Sequence, residues 1–361
     1  MRKKFRFDFI SGILILVSFI LSGIGIIAVY SATYWKGPDL WDKQFVSVIL
    51  TIPIIILLRY IDYRLWSKIA PYFYLISIIL LGATLIVSSP IKGAKRWLYI
   101  GGFRFQPSEL AKLALIIELS TLIDSKKGKW SEPSLFMVCL ALTSLPFLIT
   151  AMQPDLGTAL IFIVIFMSVI FISGLHLKYL IGLIVLGVIS IPLVWEYLLR
   201  DYQRERILTF IDPTRDPLGA GYHIIQSKLA IGSGALWGYG LLNGPQNRLK
   251  FIPEQHTDFI FSLIGEEFGF IGSLTVILLF VVLFVVGLYI SFKSDSRSGT
   301  LIGVGIISML CIHMFINIGM TIGLLPVAGI PLPFISYGRS ALIVNMVGIG
   351  ILSSIGKRRL V

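Results

Sequence analysis

Residues 9–31 read FISGILILVSFILSGIGIIAVYS, an apolar run without a charged side chain. About 20 such residues in a helix span the ~30 Å hydrocarbon core of a bilayer, because each residue adds about 1.5 Å. The basic segment 1–7 precedes the run, which is too long for a signal-peptide core and lacks a small-residue cleavage site. We therefore predict that residues 9–31 form a retained first transmembrane helix.

The composition of the whole chain extends this prediction. Of 361 residues, 56% are hydrophobic and 14% are charged, and the mean hydropathy is +0.88. Soluble globular domains are roughly 45–50% apolar and about 25% charged, so this chain belongs to the membrane class. We predict an all-α polytopic membrane protein in which residues 1–361 form a single integral domain.

Apolar windows of about 18 residues or more recur along the chain and predict about ten transmembrane helices. The predicted spans are residues 9–31, 44–60, 71–89, 107–124, 134–152, 156–174, 178–199, 258–292, 299–324 and 337–355. The eighth span is long enough to project beyond the bilayer or to break. Its GEEFG stretch at 265–269 is the predicted place for a break.

Clusters of lysine and arginine predict the orientation of these spans, since cytoplasmic loops are enriched in basic residues. The clusters that fall on one side are at residues 2–6, 59–68, 126–129, 293–297 and 357–359. We predict that both termini are cytoplasmic. A large extracytoplasmic loop, residues 200–257, then separates spans seven and eight; its aromatic and aliphatic residues predict a folded segment with a short helix at 224–231.

Two predicted outer segments are basic, although the charge rule disfavours this. Residues 90–106 contain Arg96 and Arg104, and the large loop also contains several arginines, among them Arg204, Arg206 and Arg215. An anionic ligand would favour such segments, and anionic lipid headgroups are the alternative explanation. The net charge of +12 does not indicate nucleic acid, because no basic helix or aromatic-interleaved basic stretch stands outside the apolar frame.

Carboxylates near the predicted outer ends of the spans are candidates for chemistry. Glu254, His256 and Asp258 precede the eighth span, where an acid meets a helix N-terminus and a membrane interface. The alternative is that Thr257 or Asp258 simply caps that helix.

Other charged residues lie within the apolar spans or at their ends. Glu109 and Lys112 share one helical face, either as a local ion pair or as part of a polar cavity with Asp155. Glu266 and Glu267 lie deeper and should face an interior cavity or a partner instead of lipid.

The remaining motifs narrow the class of function. Cys139 and Cys311 lie in apolar runs, which favours buried small side chains over a disulfide or a metal site. The chain has no zinc-ligand spacing, Walker loop or dinucleotide fingerprint, so no nucleotide cofactor is predicted. The proline-bearing segment 323–341 should be irregular, with either a structural role or a ligand contact.

A reaction that forms a bond on the outer side of the membrane has no ATP available, so it needs a preactivated substrate. A polyprenyl-pyrophosphate-linked sugar fits a cationic surface above a helix bundle.

Five motifs together resemble those of the SEDS family of cell-wall polymerases, in the family order and across nearly the whole chain. They are GAKRWLYIGGFRFQPSELAKL at 93–113, QPDLGTAL at 153–160, DPLGAGYHIIQSKLAIGSG at 216–234, FIPEQHTDFIFSLIGEEFGFIG at 251–272 and PLPFISYGRSA at 331–341. GYHIIQS and AIGSG are more similar to the RodA branch than to the FtsW branch. Arg339 departs from the family, which usually has a glycine there in SYGGS.

The resemblance implies a peptidoglycan glycosyltransferase that polymerises lipid II during cell elongation and releases undecaprenyl pyrophosphate. It implies that Asp258 is catalytic, with general base as its predicted role. Candidates for substrate binding are Lys112, Glu109, Arg96, Arg104, Asp155, Arg204, Arg206, Arg215, Glu254 and His256. A divalent cation, magnesium or manganese, is a candidate for compensating the charge of the leaving group.

The family also implies partners, namely a class B penicillin-binding protein and membrane proteins of the elongation complex. Two other functions stay open at the level of sequence. A lipid II flippase would also need a polar cavity with an intramembrane ion pair. A non-enzymatic scaffold for a penicillin-binding protein would need no outer carboxylate at all.

Overall fold

The computed structural model describes residues 2–35, 40–89, 94–126, 128–216 and 219–358, and helices dominate them. The helices are α1 (Arg2–Thr33), α2 (Leu40–Tyr60), α3 (Tyr63–Val87), α4 (Pro107–Lys126), α5 (Glu132–Met152), α6 (Leu156–Ile172), α7 (Leu177–Leu193), α8 (Asp201–Ile211), α9 (Ala220–Ser233), α10 (Pro245–Arg248), α11 (Ile260–Phe292), α12 (Arg297–Thr321) and α13 (Arg339–Arg358). Strands β1 (Leu98–Ile100) and β2 (Phe103–Phe105) form an antiparallel hairpin between α3 and α4.

Eight of the described helices are long and apolar enough to cross a membrane, as expected of a multi-pass membrane protein. They are α1, α2, α3, α5, α7, α11, α12 and α13. Helix α6 is apolar but shorter, and α4 includes the buried charged residues Glu109 and Lys112. Each of the ten predicted spans overlaps one of these ten helices.

Helix α11 is interrupted where GEEFG predicts a break. Gly269 has φ 65° and ψ −160°, a conformation that side-chain-bearing residues rarely adopt. The amides of residues 270–271 donate to carbonyls of segment 235–240, and the carbonyls of 266–267 accept from amides of the same segment, at N···O distances of 2.8–3.2 Å. The loop segment thus satisfies the backbone groups that the break releases, which is needed because an unpaired buried peptide group is costly.

The large loop is folded, as predicted. Its three helices are α8, α9 and α10, and a short 3₁₀ turn, Pro213–Arg215, follows α8. Helix α9 contains the predicted segment 224–231 and extends beyond it at both ends. Segment 235–240 of the loop packs on the break in α11, at residues 266–271.

The two cysteines differ from each other in burial. Both are free thiols, and Cys139 is buried as predicted. The prediction for Cys311 is wrong, because its side chain is exposed on the surface of α12. An apolar run does not reveal which side of a membrane helix faces the bundle when lipid and protein interior are equally apolar.

Candidate active site

Asp258 lies half-buried in a turn that ends where α11 begins. The turn starts at Glu254, whose φ is 52° and whose carbonyl accepts the amides of Thr257 and Asp258 at 3.1 Å each. The N-cap position of α11 is occupied by Phe259. The alternative prediction that Thr257 or Asp258 is the helix cap is therefore wrong, and the Asp258 carboxylate is placed by the turn.

The carbonyls of this turn are bonded to the segment before α13. The His256 carbonyl accepts the amide of Tyr337 at 2.9 Å, and the Thr257 carbonyl accepts the hydroxyl of Ser336 at 2.6 Å. The carbonyl of Ser336 in turn accepts Nε2 of Gln44 in α2 at 3.1 Å. Residues far apart along the chain therefore hold the backbone that carries Asp258.

Asn317 adds a third bond to the same turn. This fully buried residue of α12 donates from Nδ2 to the carbonyls of Asp258, at 2.9 Å, and of Ile330, at 2.7 Å. Gly329, with φ 66°, lies against the carboxylate, since a Cβ built there would be 3.5 Å from Oδ2 of Asp258. Segment 323–341, which is irregular up to the start of α13 at Arg339, thus has a structural role, and part of it faces the carboxylate.

Glu109 and Lys112 form the predicted ion pair, and the structure adds a histidine to it. Lys112 Nζ lies 2.8 Å from Oε1 of Glu109 and 2.7 Å from Nε2 of His313, with all three side chains buried. Nδ1 of His313 lies 2.5 Å from the carbonyl of Met309, which can only accept. Nδ1 therefore carries the hydrogen and Nε2 accepts from Lys112, so the imidazole is neutral and the cluster has no net charge.

Asp155 does not join this cluster. Its carboxylate pairs with Nε of Arg96 at 3.3 Å and also caps α6 by accepting the amide of Thr158 at 3.3 Å. A terminal nitrogen of Arg96 donates to the carbonyl of Pro154 at 2.7 Å. Asp155 thus pairs with Arg96, whereas Glu109 pairs with Lys112, and a polar cavity lined by both ion pairs stays a prediction.

Two further cations lie at the β1–β2 hairpin, one on strand β2 and one at the start of α13. The Arg104 guanidinium lies over the ring of Tyr99, 5.3 Å from its centroid, and Arg339 lies over Phe103 at 4.7 Å. The hydroxyl of Ser340 donates to the Arg104 carbonyl at 2.9 Å. Arg339, which departs from the family glycine, thus holds the hairpin against the start of α13.

The predicted arginines of the large loop are dispersed. Arg206 donates to the carbonyl of Val327 at 3.3 Å and so reaches the segment that faces Asp258. Arg204 donates to the carbonyl of Glu196 at 2.7 Å, whereas Arg215 is exposed in the 3₁₀ turn. Only Arg206 among these three is shown in contact with segment 323–341.

Glu266 and Glu267 face the protein interior, as predicted for acids at their depth. The carboxylate of Glu266 accepts the amides of Gln246 and Asn247 at 2.6 and 3.3 Å. Oε1 of Glu267 accepts the hydroxyl of Ser31 at 2.6 Å and Nδ2 of Asn247 at 3.0 Å. These acids join the loop and α1 to the broken end of α11, which is a structural role.

Sequence reasoning missed His313 and Asn317, which α12 presents on one face because they are four residues apart. Asn317 contacts the Asp258 turn, and His313 contacts Lys112 about 6 Å further along the helix axis. Helix α12 therefore places the buried cluster one turn below the candidate base. The available signal was the rule that a polar residue inside a membrane helix must find a polar partner.

The described residues contain no group of three or more His, Cys, Asp or Glu side chains that could hold a metal ion. The magnesium or manganese ion stays a prediction.

Comparison with known proteins decides the family. The family model for FtsW, RodA and SpoVE, described as "Cell cycle protein", matches residues 12–360. The chain belongs to this family. Peptidoglycan glycosyltransferase MrdB of Escherichia coli K12 is 43% identical over 92% of this chain and 90% of that protein. A probable peptidoglycan glycosyltransferase FtsW of Geobacter metallireducens is 36% identical over 98% and 95%, respectively. These identities favour the RodA branch.

Solved structures of this SEDS family share the fold. A chain from a peptidoglycan synthase complex that coordinates polymerization and crosslinking has a TM-score of 0.81 and 31% identity, covering 96% of this chain and 97% of that one. RodA of Thermus thermophilus, a rod shape determining protein, has a TM-score of 0.71 and 27% identity, with 96% of each chain covered.

Proposed function

We propose that this protein is a peptidoglycan glycosyltransferase that polymerises lipid II into glycan strands, with Asp258 as the general base. Its SEDS relatives carry that activity in their names, and their similarity covers nearly the whole chain. The observation that carries the proposal is the placement of Asp258. Its backbone is bonded on several sides, while its half-buried carboxylate faces segment 323–341 at the end of the bundle.

The reaction we propose is a single displacement. The hydroxyl oxygen of the acceptor sugar attacks the anomeric carbon of the donor strand and forms the new C–O bond. The bond between that carbon and the pyrophosphate oxygen breaks, and undecaprenyl pyrophosphate leaves with the electron pair. Asp258 takes the hydroxyl proton, and the anomeric configuration inverts because one face of the carbon is attacked while the opposite bond breaks.

The contribution of the fold to this step is orientation. A general base must lie within hydrogen-bond reach of the proton that it removes, so its position must be restricted before substrate arrives. The bonds from Tyr337, Ser336 and Asn317 restrict the backbone of the turn, and Gly329 leaves room beside the carboxylate.

Cations near the outer ends of α4 and α6 are our candidates for the pyrophosphate. Arg96 and Arg104 lie on or beside the hairpin, and Arg206 reaches segment 323–341 from the loop. Lys112 is buried with Glu109 and His313, so we assign it a structural role: it fixes α12 against α4 beneath the site. Developing negative charge on the leaving oxygen would be stabilised by such fixed cations.

We place this site on the extracytoplasmic side of a bacterial inner membrane, in a ten-span topology with both termini in the cytoplasm. The support is the positive-inside rule. The lysine and arginine clusters at 59–68, 126–129 and 293–297 lie at one end of α3, α5 and α11, and the segments that contain Arg96, Asp155 and Asp258 lie at the other end of these helices. We propose a class B penicillin-binding protein as partner, because the similar chain comes from a complex that also performs crosslinking.

The test is polymerisation of purified lipid II by the full chain in detergent or vesicles. Wild type should form glycan strands and Asp258→Asn should form none, because the amide cannot accept the proton. Asp201→Asn, an exposed acid at the start of α8, is the matched control and should retain wild-type activity. A wild-type protein that moves lipid II between leaflets but never polymerises it would overturn the proposal in favour of a flippase, and strand formation by Asp258→Asn would exclude Asp258 as the base. Repeating the assay with and without magnesium or manganese tests the predicted cation.

A further inference from the structure

Asn317 stands out among the buried polar residues because it bonds two segments that meet at the candidate base. Its Nδ2 group donates both hydrogens, one to the carbonyl of Asp258 and one to the carbonyl of Ile330. Ile330 follows Gly329, which lies against the Asp258 carboxylate. One side chain therefore joins the residue that bears the base to the segment that the base faces.

The chemistry of this contact requires a primary amide. Two carbonyl oxygens must each receive a hydrogen at 2.9 and 2.7 Å from one nitrogen, and among buried neutral side chains only Asn and Gln carry an NH₂ group. Asn317 has no exposed surface, so water does not replace a lost donor at its position. Removing the amide would leave two buried carbonyls with one partner fewer, and each would gain freedom to turn toward another donor.

Helix α12 connects the Asn317 hydrogen bonds to the packed centre of the bundle. Asn317 lies in the last two turns of the helix, and His313 lies on the same face one turn deeper against Lys112. The packed centre of the bundle thus fixes the amide, and the amide fixes the turn. The position of Asp258 is therefore held by a rigid helix as well as by the loop.

We propose that Asn317 is a positioning residue for Asp258. The inference rests on the proposed function, because it assigns Asn317 a part in glycan polymerisation through the general base. Asn317 does not touch substrate; it holds the carboxylate where the acceptor hydroxyl must arrive. A displacement of about 1 Å at a catalytic group can cost about a hundredfold in rate, so loss of this bond should act on turnover.

The experiment compares Asn317→Leu with a matched substitution, Asn345→Leu. Asn345 is also a buried asparagine, at 3% exposure, and lies in the interior of α13. Each change replaces an amide by an apolar side chain of similar size in a helix. We measure kcat and KM for lipid II per folded molecule, together with Tm, in the full-length protein.

The expected result is a fall in kcat of about tenfold to a hundredfold for Asn317→Leu, with KM within about threefold of wild type. Asn345→Leu should keep kcat within about twofold. Asn317→Gln retains both donor hydrogens on a longer side chain and should recover part of the lost kcat. This split between kcat and KM, together with the partial recovery, distinguishes positioning from a loss of folded protein.

Two results would overturn the inference. One is an Asn317→Leu protein whose kcat per folded molecule equals that of Asn345→Leu, which would reduce Asn317 to a packing role. The other is an equal loss of activity in the Leu and Gln variants at unchanged Tm, since the donor hydrogens would then be irrelevant. Both outcomes presuppose an active wild type, so they are separate from failure of the proposed function, in which wild type forms no strands.

Discussion

Nζ of Lys112 lies 2.7 Å from Nε2 of His313, and both side chains are buried between α4 and α12. The pair joins a cation to a neutral imidazole, while Glu109 supplies the opposite charge at 2.8 Å. A buried ion pair is tolerated when its hydrogen-bonding groups find partners, and His313 is one of those partners here. The cluster thus fixes α12 against α4 one turn below Asn317.

Removing the imidazole should destabilise the protein. His313→Leu deprives the Lys112 ammonium of an acceptor in a buried place, which should lower the free energy of unfolding by about 1–3 kcal/mol. His313→Gln retains an acceptor oxygen and should lose less. Thermal unfolding of the purified protein measures both. The control is His176→Gln: the His176 ring is exposed, so this change should lower the free energy of unfolding by about 1 kcal/mol or less. Equal losses of stability in the two His313 variants would contradict the role of the acceptor.

A side chain at Gly238 should disrupt the junction between the loop and α11. Gly238 has φ 75°, and a Cβ there would lie 2.2 Å from the carbonyl oxygen of Glu267. Both partners in this contact belong to the backbone, so neither can move aside as a flexible side chain would. Gly238→Ala should therefore lower the free energy of unfolding by at least about 1–3 kcal/mol. Denaturant or thermal unfolding measures the loss.

The matched control for this change is Gly232→Ala, in nearby helix α9. A Cβ at Gly232 would have no heavy atom within 4 Å, and the backbone there is helical. This variant should be neutral or more stable by about 0.4–1 kcal/mol, because alanine loses less backbone entropy on folding. A Gly238→Ala protein as stable as this control would mean that the loop is not packed on the break.

Arg339 should stabilise the β1–β2 hairpin through Phe103. A guanidinium over an aromatic ring contributes at least about 0.5–1 kcal/mol, and Arg339 is half-buried, so Arg339→Gly should speed hydrogen exchange of the hairpin amides by at least about two- to fivefold. Phe103→Leu should have a similar effect, and the double variant should add little to either single change. Additive effects of the two changes would show that the stacking contributes nothing, and Arg215→Gly, in the exposed 3₁₀ turn, serves as the control.

Local features of the fold could be predicted from the sequence. Each apolar run overlaps a helix, the break in α11 lies within GEEFG, and the helix predicted at 224–231 is part of α9. The ion pair of Glu109 and Lys112 is also local, since three residues of helix bring the side chains together. These predictions succeed because hydropathy, glycine and helical periodicity act over short stretches of chain.

Long-range partners could not be predicted in this way. Asp155, one alternative for a polar cavity shared with Glu109 and Lys112, pairs with Arg96, and Phe259 occupies the N-cap position of α11 that was considered for Asp258. His313 lies against a lysine 201 positions earlier in the chain, a contact that no local pattern indicates. Periodicity identifies the residues that share a helix face, whereas the neighbour of that face depends on how all the helices pack.

A bundle of apolar helices, a folded loop before α11 and an acid at Asp258 in a motif of the SEDS family could all be predicted from the sequence alone. The bonds from Asn317 and Ser336 to the Asp258 turn, and the contact of His313 with Lys112, follow only from the way the helices pack. The reason is that a hydrogen bond in an apolar interior depends on distances of about 3 Å between atoms from separate helices, and no pattern within one helix specifies those distances.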